Sequence, residues 1–185
     1  MKNIILASSS PRRIEMMKKN GYNPKIMPAD VNESLPYYMH PESAVMFLAL
    51  KKAMYVEERV TTDNLIIAAD TVVVYNEKII GKPLNKKDAF NILSQLRSNH
   101  HYVITGVCII DTTEITKRCF YEKTAVYFTD YTDEELNDYL DTDEAYDKAG
   151  AYAIQGTFGK YVDHFEGDYD NVVGFPWKSI EHFLK

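Results

Sequence analysis

The stretch "LIIAADTVVVY" at residues 65–75 constrains the fold more than any other part of the sequence. Its aliphatic and β-branched residues form an apolar run that is typical of a buried strand. Asp70 interrupts this run, and a buried carboxylate is costly unless it is paired, bound to a metal or near a strand end. The functional interpretation is a metal ligand or general base. The structural alternative is a buried Asp that is hydrogen-bonded to the backbone.

The junction "IILASSSPRR" near the start of the chain is the second informative feature. Residues 4–7 predict a short strand, Pro11 suits the first position of a helix, and Ser10 suits its N-cap. The helical pattern continues to Asn20, and Gly21 can end it in the left-handed conformation. Three hydroxyls and two guanidinium groups would then lie at the positive end of a helix, as in a phosphate site. The alternative is an ordinary capped helix with a basic, solvated start.

The remaining pattern alternates between helices and strands. A helix is predicted from Pro41 to about Val60, after a polar loop at residues 30–40. Asn85 predicts the cap of another helix, and Thr132 with Glu135 has the spacing of a capping box. The segment "GDYDN" at residues 167–171 predicts a turn. Strands mixed with helices, and at least one antiparallel hairpin, indicate an α/β or α+β fold with a mixed sheet.

Composition narrows the classes of function. A length of 185 residues fits one domain or two closely joined lobes, and a net charge of −6 argues against nucleic acid as the main partner. No apolar run is long enough to span a membrane, and no secretory segment is present, so we expect a cytoplasmic protein.

Cys108 and Cys119 have no metal-ligand spacing. They flank a predicted hairpin and could face each other, but a reduced core is the better interpretation.

Four further residues carry weaker individual signals. Lys82 lies in "GKP", where Gly and Pro would hold its backbone, and Lys52 lies on an otherwise apolar helix face. In "DKAGAYAIQG", Lys148 offers a charge and Gln155 an amide that could bind a ligand. The structural alternative for Lys82 is a surface lysine in a turn, and that for Lys52 is a lysine whose stem lies along apolar surface. For Lys148 and Gln155 the alternative is an irregular loop.

These motifs together resemble the Maf family. The motifs "LASSSPRR", "AADTVV", "GKP", "VITGV", "DKAGAYAIQG" and "NVVGFP" occur in the family's order between Leu6 and Pro176. The resemblance implies an α/β fold similar to that of the inosine triphosphate pyrophosphatases, with an elongated mixed β-sheet flanked by helices in two lobes. It also implies a single Maf-like domain over residues 1–185 and a nucleoside triphosphate pyrophosphatase that uses a divalent metal, Mg²⁺ or Mn²⁺.

The resemblance also implies roles for individual residues. Asp70 matches the family's catalytic carboxylate and, together with Glu33, would hold the metal. The residues that would bind the substrate are Ser8, Ser10, Arg12, Arg13, Lys52, Thr71, Lys82, Lys148 and Gln155. Arg12, Thr71 and Gln155 match the branch of the family that prefers dTTP and UTP over 7-methyl-GTP.

The leading hypothesis is therefore an enzyme that cleaves between the α and β phosphates of a nucleoside triphosphate. Water would attack the α phosphorus, while the lysines and arginines stabilise the developing charge. A nucleotide-binding regulator of septum formation is the alternative. A P-loop kinase is excluded because the sequence lacks Gly-x4-Gly-Lys-Ser/Thr. The expected partner is the nucleotide, and whether the chain forms a homodimer is left open.

Overall fold

The computed structural model describes residues 2–35 and 39–184 of the chain. The strand–turn–helix predicted at the start is present as β1 (Asn3–Leu6) and α1 (Pro11–Lys19). The further strands are β2 (Lys25–Ile26), β3 (Asn64–Tyr75), β4 (Lys78–Ile80), β5 (His100–Asp111), β6 (Thr116–Phe128) and β7 (Val162–Glu166). The further α-helices are α2 (Pro41–Glu57), α3 (Lys86–Leu96), α4 (Asp133–Leu140), α5 (Tyr169–Val173) and α6 (Trp177–Glu181). Short 3-10 helices lie at Asp143–Ala145, Ala149–Ala151 and Thr157–Tyr161.

The strands form one mixed sheet, which confirms the predicted α/β fold. Their order is β2-β1-β3-β5-β6-β7, and β4 pairs with β3 outside this path. Strand β1 is parallel to β2 and β3, whereas β3–β4 and β6–β7 are antiparallel pairs. Residues 64–70 of β3 are all buried. Both faces of this strand are therefore covered, as its predominantly apolar sequence predicts.

The chain divides into two compact units. Unit 1 comprises Met1–Asp70, Thr105–Glu122 and Gly174–Lys185, and unit 2 comprises Thr71–Ile104 and Lys123–Val173. The core of unit 1 is mainly aliphatic, whereas that of unit 2 is rich in aromatic residues such as Phe128, Tyr131, Tyr152 and Phe158. The expectation of a single domain over residues 1–185 stays a prediction. Among the described residues, no helix combines the length and apolar character needed to cross a membrane.

Local sequence signals predicted the ends of several elements correctly. Gly21 follows α1 with a φ of 85°, the Asn85 side chain accepts from the amide of Asp88, and Thr132 with Glu135 forms the full capping box.

The loop predicted at residues 30–40 contains no helix or strand where it is described, and its residues 36–38 lie outside the description. The predicted turn at residues 167–171 was wrong in part, because α5 begins at Tyr169.

Cys108 and Cys119 are free thiols that face each other in unit 1. Cys108 is buried and Cys119 is exposed. A hydrogen bond between the two thiols raises the pKa of Cys108 and lowers that of Cys119 to about 7. The cysteines therefore face each other, but only Cys108 belongs to the core, and the expectation that both stay reduced remains a prediction.

Candidate active site

The β1–α1 junction places polar groups at the positive end of α1. Pro11 takes the first helical position, and Ser10 precedes it without a capping hydrogen bond from its side chain. The backbone N–H of Ser10 instead donates to Ser8 Oγ at 3.2 Å. Within residues 2–35 and 39–184, the guanidinium of Arg12 makes no hydrogen bond or ion pair. The hydroxyl of Ser10 and the charge of Arg12 are thus available to an anion at a helix N-terminus.

Arg13 differs from Arg12 because the protein itself accepts hydrogen bonds from its Nε and Nη1. Its Nε donates to the carbonyl of Gly174 at 2.9 Å, and its Nη1 donates to the carbonyl of Ala69 at 2.8 Å. Nη1 also lies 3.3 Å from Ser8 Oγ. Burial lowers the pKa of Arg13 to about 10, so this side chain keeps its charge at neutral pH. Arg13 therefore holds the end of the buried part of β3 against α1, next to Asp70.

Lys52 on α2 joins the two acids that the family resemblance implies as metal ligands. Its Nζ lies 2.6 Å from Asp70 Oδ1 and 2.8 Å from Glu33 Oε1. The side chains of Lys52 and Asp70 are each 12% exposed, whereas that of Glu33 is 60% exposed. The carboxylate that interrupts the apolar strand is therefore paired with a charge, not with backbone groups. One ammonium lies between the two carboxylates, and the positive charge of Arg13 acts on both of them as well.

The close approach of α2 to the sheet depends on Gly106 in β5. A Cβ at this position would lie 2.3 Å from the carbonyl carbon of Val45 and 2.6 Å from the amide nitrogen of Met46. Contacts this short with backbone atoms cannot be relieved by a rotamer change. Lys52 follows Met46 by less than two helical turns. Glycine at position 106 therefore helps to bring Lys52 within reach of Asp70.

Asp70 and Glu33 are also the side chains that fit a divalent cation. No group of three or more His, Cys, Asp or Glu side chains that could hold a metal occurs within the described residues. Mg²⁺, however, is commonly held by one or two carboxylates together with substrate phosphates. The ammonium of Lys52 lies between the two acids, so these oxygens already surround a positive charge. The donor set therefore suits a hard cation that arrives with a phosphate ligand.

Unit 2 contains four of the predicted substrate-binding residues: Thr71, Lys82, Lys148 and the exposed Gln155. Thr71 follows Asp70 in β3 and is half-buried, and Lys82 is exposed just after β4. Lys148 donates to the carbonyl of Glu144 at 2.8 Å and pairs with the carboxylate of Asp147. Their binding roles stay predictions, as do those of the residues in unit 1.

A backbone hydrogen bond connects two of the motifs in unit 2. The amide of Gly150 donates to the carbonyl of Gly81 at 3.1 Å, which joins the "DKAG" segment to the "GKP" segment. Gly150 has a φ of 72°, and a Cβ there would lie 2.9 Å from a methyl group of Val73. Glycine at this position therefore serves both the backbone conformation and the contact with β3.

His101 is a structural residue of this region that the sequence did not identify. It is buried in β5, and its Nε2 lies 2.7 Å from the hydroxyl of Tyr152 in "DKAGAYAIQG". Burial lowers the pKa of His101 to about 3, so the ring is neutral at physiological pH. At the start of β5, buried positions alternate with more exposed ones, and this alternation is the sequence signal that places His101 on the inner face.

Comparison with known proteins identifies the family. A model of the family described as Maf-like protein matches residues 3–185. The chain belongs to the Maf family. A dTTP/UTP pyrophosphatase of Caldicellulosiruptor saccharolyticus is 44% identical over 188 residues, which cover 100% of this chain and 94% of the relative. A dTTP/UTP pyrophosphatase of Bacillus anthracis is 42% identical over 185 residues, which cover 100% of this chain and 95% of that protein.

A solved structure supports the fold assignment. The Ham1 protein of Staphylococcus aureus superposes with a TM-score of 0.54 at 12% identity, covering 99% of this chain and 98% of that chain. At this level of identity the likeness concerns the fold alone. It agrees with the mixed α/β fold that the Maf resemblance implies.

The different environments of the two arginines lead to a stability prediction. Arg13→Ala leaves the carbonyls of Ala69 and Gly174 without these donors, so we expect the free energy of unfolding to fall by about 1–3 kcal/mol. Arg12→Ala is the matched control, and its effect should stay within about 0.5 kcal/mol. Chemical denaturation of the parent and both variants measures the difference. Equal losses in the two variants would contradict the separate roles.

Proposed function

We propose that this Maf-family chain hydrolyses dTTP and UTP to the nucleoside monophosphate and pyrophosphate. The observation that carries the proposal is the connected set of charges in unit 1. Lys52 pairs with Asp70 and Glu33, and Arg13 ties the residue before Asp70 to Ser8. A positioned carboxylate beside a lysine suits proton abstraction and charge stabilisation in phosphate chemistry. The two relatives named dTTP/UTP pyrophosphatases support this reaction and these substrates.

In the proposed reaction, Arg12, Ser10 and the first turn of α1 bind the phosphate chain. Water attacks the α phosphorus, and a new bond joins the water oxygen to this phosphorus. The bond from the α phosphorus to the oxygen that bridges it to the β phosphorus breaks. A proton of the water passes to the carboxylate of Asp70, and pyrophosphate leaves with the bridging oxygen. Lys52 and Arg12 compensate the negative charge that develops on the leaving group.

Asp70 and Glu33 are the proposed ligands of a divalent cation, Mg²⁺ or Mn²⁺. When bound, the cation would neutralise part of the charge on the phosphate oxygens. Hard cations prefer oxygen ligands, and both the carboxylates and the triphosphate supply them. Lys52 would remain beside Asp70 in the same cluster and contribute its charge to the phosphate.

Gln155 is the residue that we propose recognises the base. It is exposed and, within the described part of the chain, makes no side-chain hydrogen bond. Thymine and uracil place an O4 acceptor beside an N3–H donor, and a glutamine amide offers the complementary pair. Thr71, Lys82 and Lys148 are proposed as further substrate contacts on the basis of the family motifs.

The cellular setting follows from the proposed substrate. A nucleotide pyrophosphatase acts on free nucleotides, so we propose a cytoplasmic location. Whether the chain forms a homodimer stays open. A regulator of septum formation without turnover would bind nucleotides but release no pyrophosphate, and no contact within the described residues favours that alternative.

The first prediction of this proposal concerns Asp70. Asp70→Asn conserves shape but removes the base, so we expect turnover to fall by at least about 100-fold. Asp111→Asn is the matched control, because Asp111 also pairs with a lysine, Lys2, in an ion pair of unit 1 that the mechanism does not use. Pyrophosphate release and thermal unfolding are measured for both variants. Near-normal turnover of a folded Asp70→Asn protein would remove Asp70 from the mechanism.

A second prediction concerns the cation. Thorough chelation should abolish pyrophosphate release, and added Mg²⁺ or Mn²⁺ should restore it, because the proposed ligands are all oxygen atoms. Titration of each cation against the initial rate provides the measurement. Undiminished turnover in the chelated protein would refute the need for a metal.

The third prediction concerns the base, and a panel of nucleotides tests it together with the proposed activity. We expect dTTP and UTP to exceed 7-methyl-GTP by at least about tenfold in kcat/KM, which corresponds to about 1.4 kcal/mol of transition-state binding. Gln155→Glu should erode this preference because a carboxylate would face the O4 acceptor. Faster turnover of 7-methyl-GTP than of UTP would make the substrate assignment wrong and leave the pyrophosphatase assignment intact. No release of pyrophosphate from any nucleotide would overturn the proposed function.

A further inference from the structure

We propose that Glu144 is a positioning residue that holds the segment from Lys148 to Thr157 in one arrangement. Through this segment Glu144 determines where Gln155 meets the base. This inference rests on the proposed function, because it assigns a means of recognition to the same substrate. It concerns unit 2 alone, and the contacts that Glu144 itself makes lie within residues 142–157.

The carboxylate of Glu144 holds the C-terminal end of the segment. Its Oε2 accepts a hydrogen bond from the backbone N–H of Thr157 at 2.9 Å and another from Thr157 Oγ1 at 3.2 Å. Hydrogen bonds to an ionised acceptor are about twice as strong as those between neutral groups. Thr157 follows Gln155 by two positions, so this contact restrains the backbone immediately beside the proposed base-binding amide.

The main chain of Glu144 holds the N-terminal end of the same segment. Its carbonyl accepts from Lys148 Nζ at 2.8 Å. The N–H of Glu144 in turn donates to Thr142 Oγ1 at 3.3 Å, and the next residue, Ala145, is buried in the core of unit 2. Glu144 is therefore itself held in place, and it connects both ends of the segment to residues that adjoin the core of the unit.

Gly156 provides the space that this arrangement requires. A Cβ on Gly156 would lie 2.6 Å from Glu144 Oε2, so the carboxylate packs directly against the glycine. The amide of Gly156 donates to the carbonyl of Ala153 at 3.0 Å, which closes the turn that contains Gln155. The φ of Gly156 is −89°, a value that other residues adopt readily. The reason for glycine here is the neighbouring carboxylate.

The rest of the segment is held by buried contacts that do not involve Glu144. The Tyr152 hydroxyl pairs with His101, and the Tyr139 hydroxyl donates to the carbonyl of Ala151 at 3.0 Å. Gln155 lies beyond these anchors and is exposed. Loss of the carboxylate should therefore release residues 153–157 while leaving the core contacts of Tyr152 in place.

The expected kinetic effect is on nucleotide binding. Glu144→Ala should raise KM for dTTP by about tenfold, the effect of losing one charge-assisted restraint, with little change in kcat. The preference for dTTP over CTP should fall, because a mobile Gln155 can present either its amide donor or its acceptor to the base.

Glu144→Gln keeps an acceptor for Thr157 and should recover most of the parent KM. Asp143→Ala, which removes the exposed acid next in sequence, is the matched control.

Two further variants separate positioning from general loss of structure. Gly156→Ala should displace the carboxylate and reproduce the effect of Glu144→Ala, although it keeps the acid. If Glu144 acts through Gln155, the double variant Glu144→Ala/Gln155→Ala should lose no more dTTP binding than Gln155→Ala alone, whereas independent effects would add.

Hydrogen exchange tests the restraint without any turnover. The amides of residues 153–157 should exchange faster in Glu144→Ala than in the parent, and those of β5 should not. Unchanged exchange, or additive effects in the double variant, would overturn the inference. If the parent protein released no pyrophosphate from any nucleotide, the proposed function and the recognition role would both fall, while hydrogen exchange would still decide whether Glu144 holds the segment.

Discussion

The ion pair between Lys52 and Asp70 is the interaction on which the architecture of unit 1 depends. Asp70 ends the fully buried part of β3, and a carboxylate in that position is strongly unfavourable without a partner. The partner must come from another element, and α2 supplies it. Ala49 and Ala53 on α2 are small and buried, and Gly106 on β5 lets the helix backbone approach closely. The largely apolar face of α2 that carries Lys52 thus becomes part of a charged site.

Predictions from the sequence succeeded where the interactions are local. The apolar run around Asp70, the cap at Asn85 and the capping box at Thr132 depend on residues within a few positions of each other. The same reasoning recognised Asp70 as a residue that needs a partner. It could not identify Lys52 as that partner, because 18 residues separate them and the contact depends on how α2 packs. The short helix α5 was missed because its five residues carry little helical periodicity.

Arg12 and Arg13 show a further limit of sequence analysis. The two residues are adjacent and identical in chemistry, and the family motif suggests the same role for both. In the structure the Arg13 donors bind the carbonyls of Ala69 and Gly174, whereas the Arg12 side chain has no such contact within the described residues. The difference depends on the direction in which each side chain leaves α1. That direction can be assigned only when the neighbouring elements are known.

The hydrogen bond from Arg13 to Gly174 also has a consequence for the order of folding. It joins residues that are 161 positions apart. During synthesis from the N-terminus, α1 can form as soon as its own residues are available, but this contact must wait until Gly174 has been made. The brace beside Asp70 is therefore among the last parts of unit 1 to be completed. A ribosome-bound chain that ends before Gly174 would lack this brace, even if β1, β3 and α2 had already assembled.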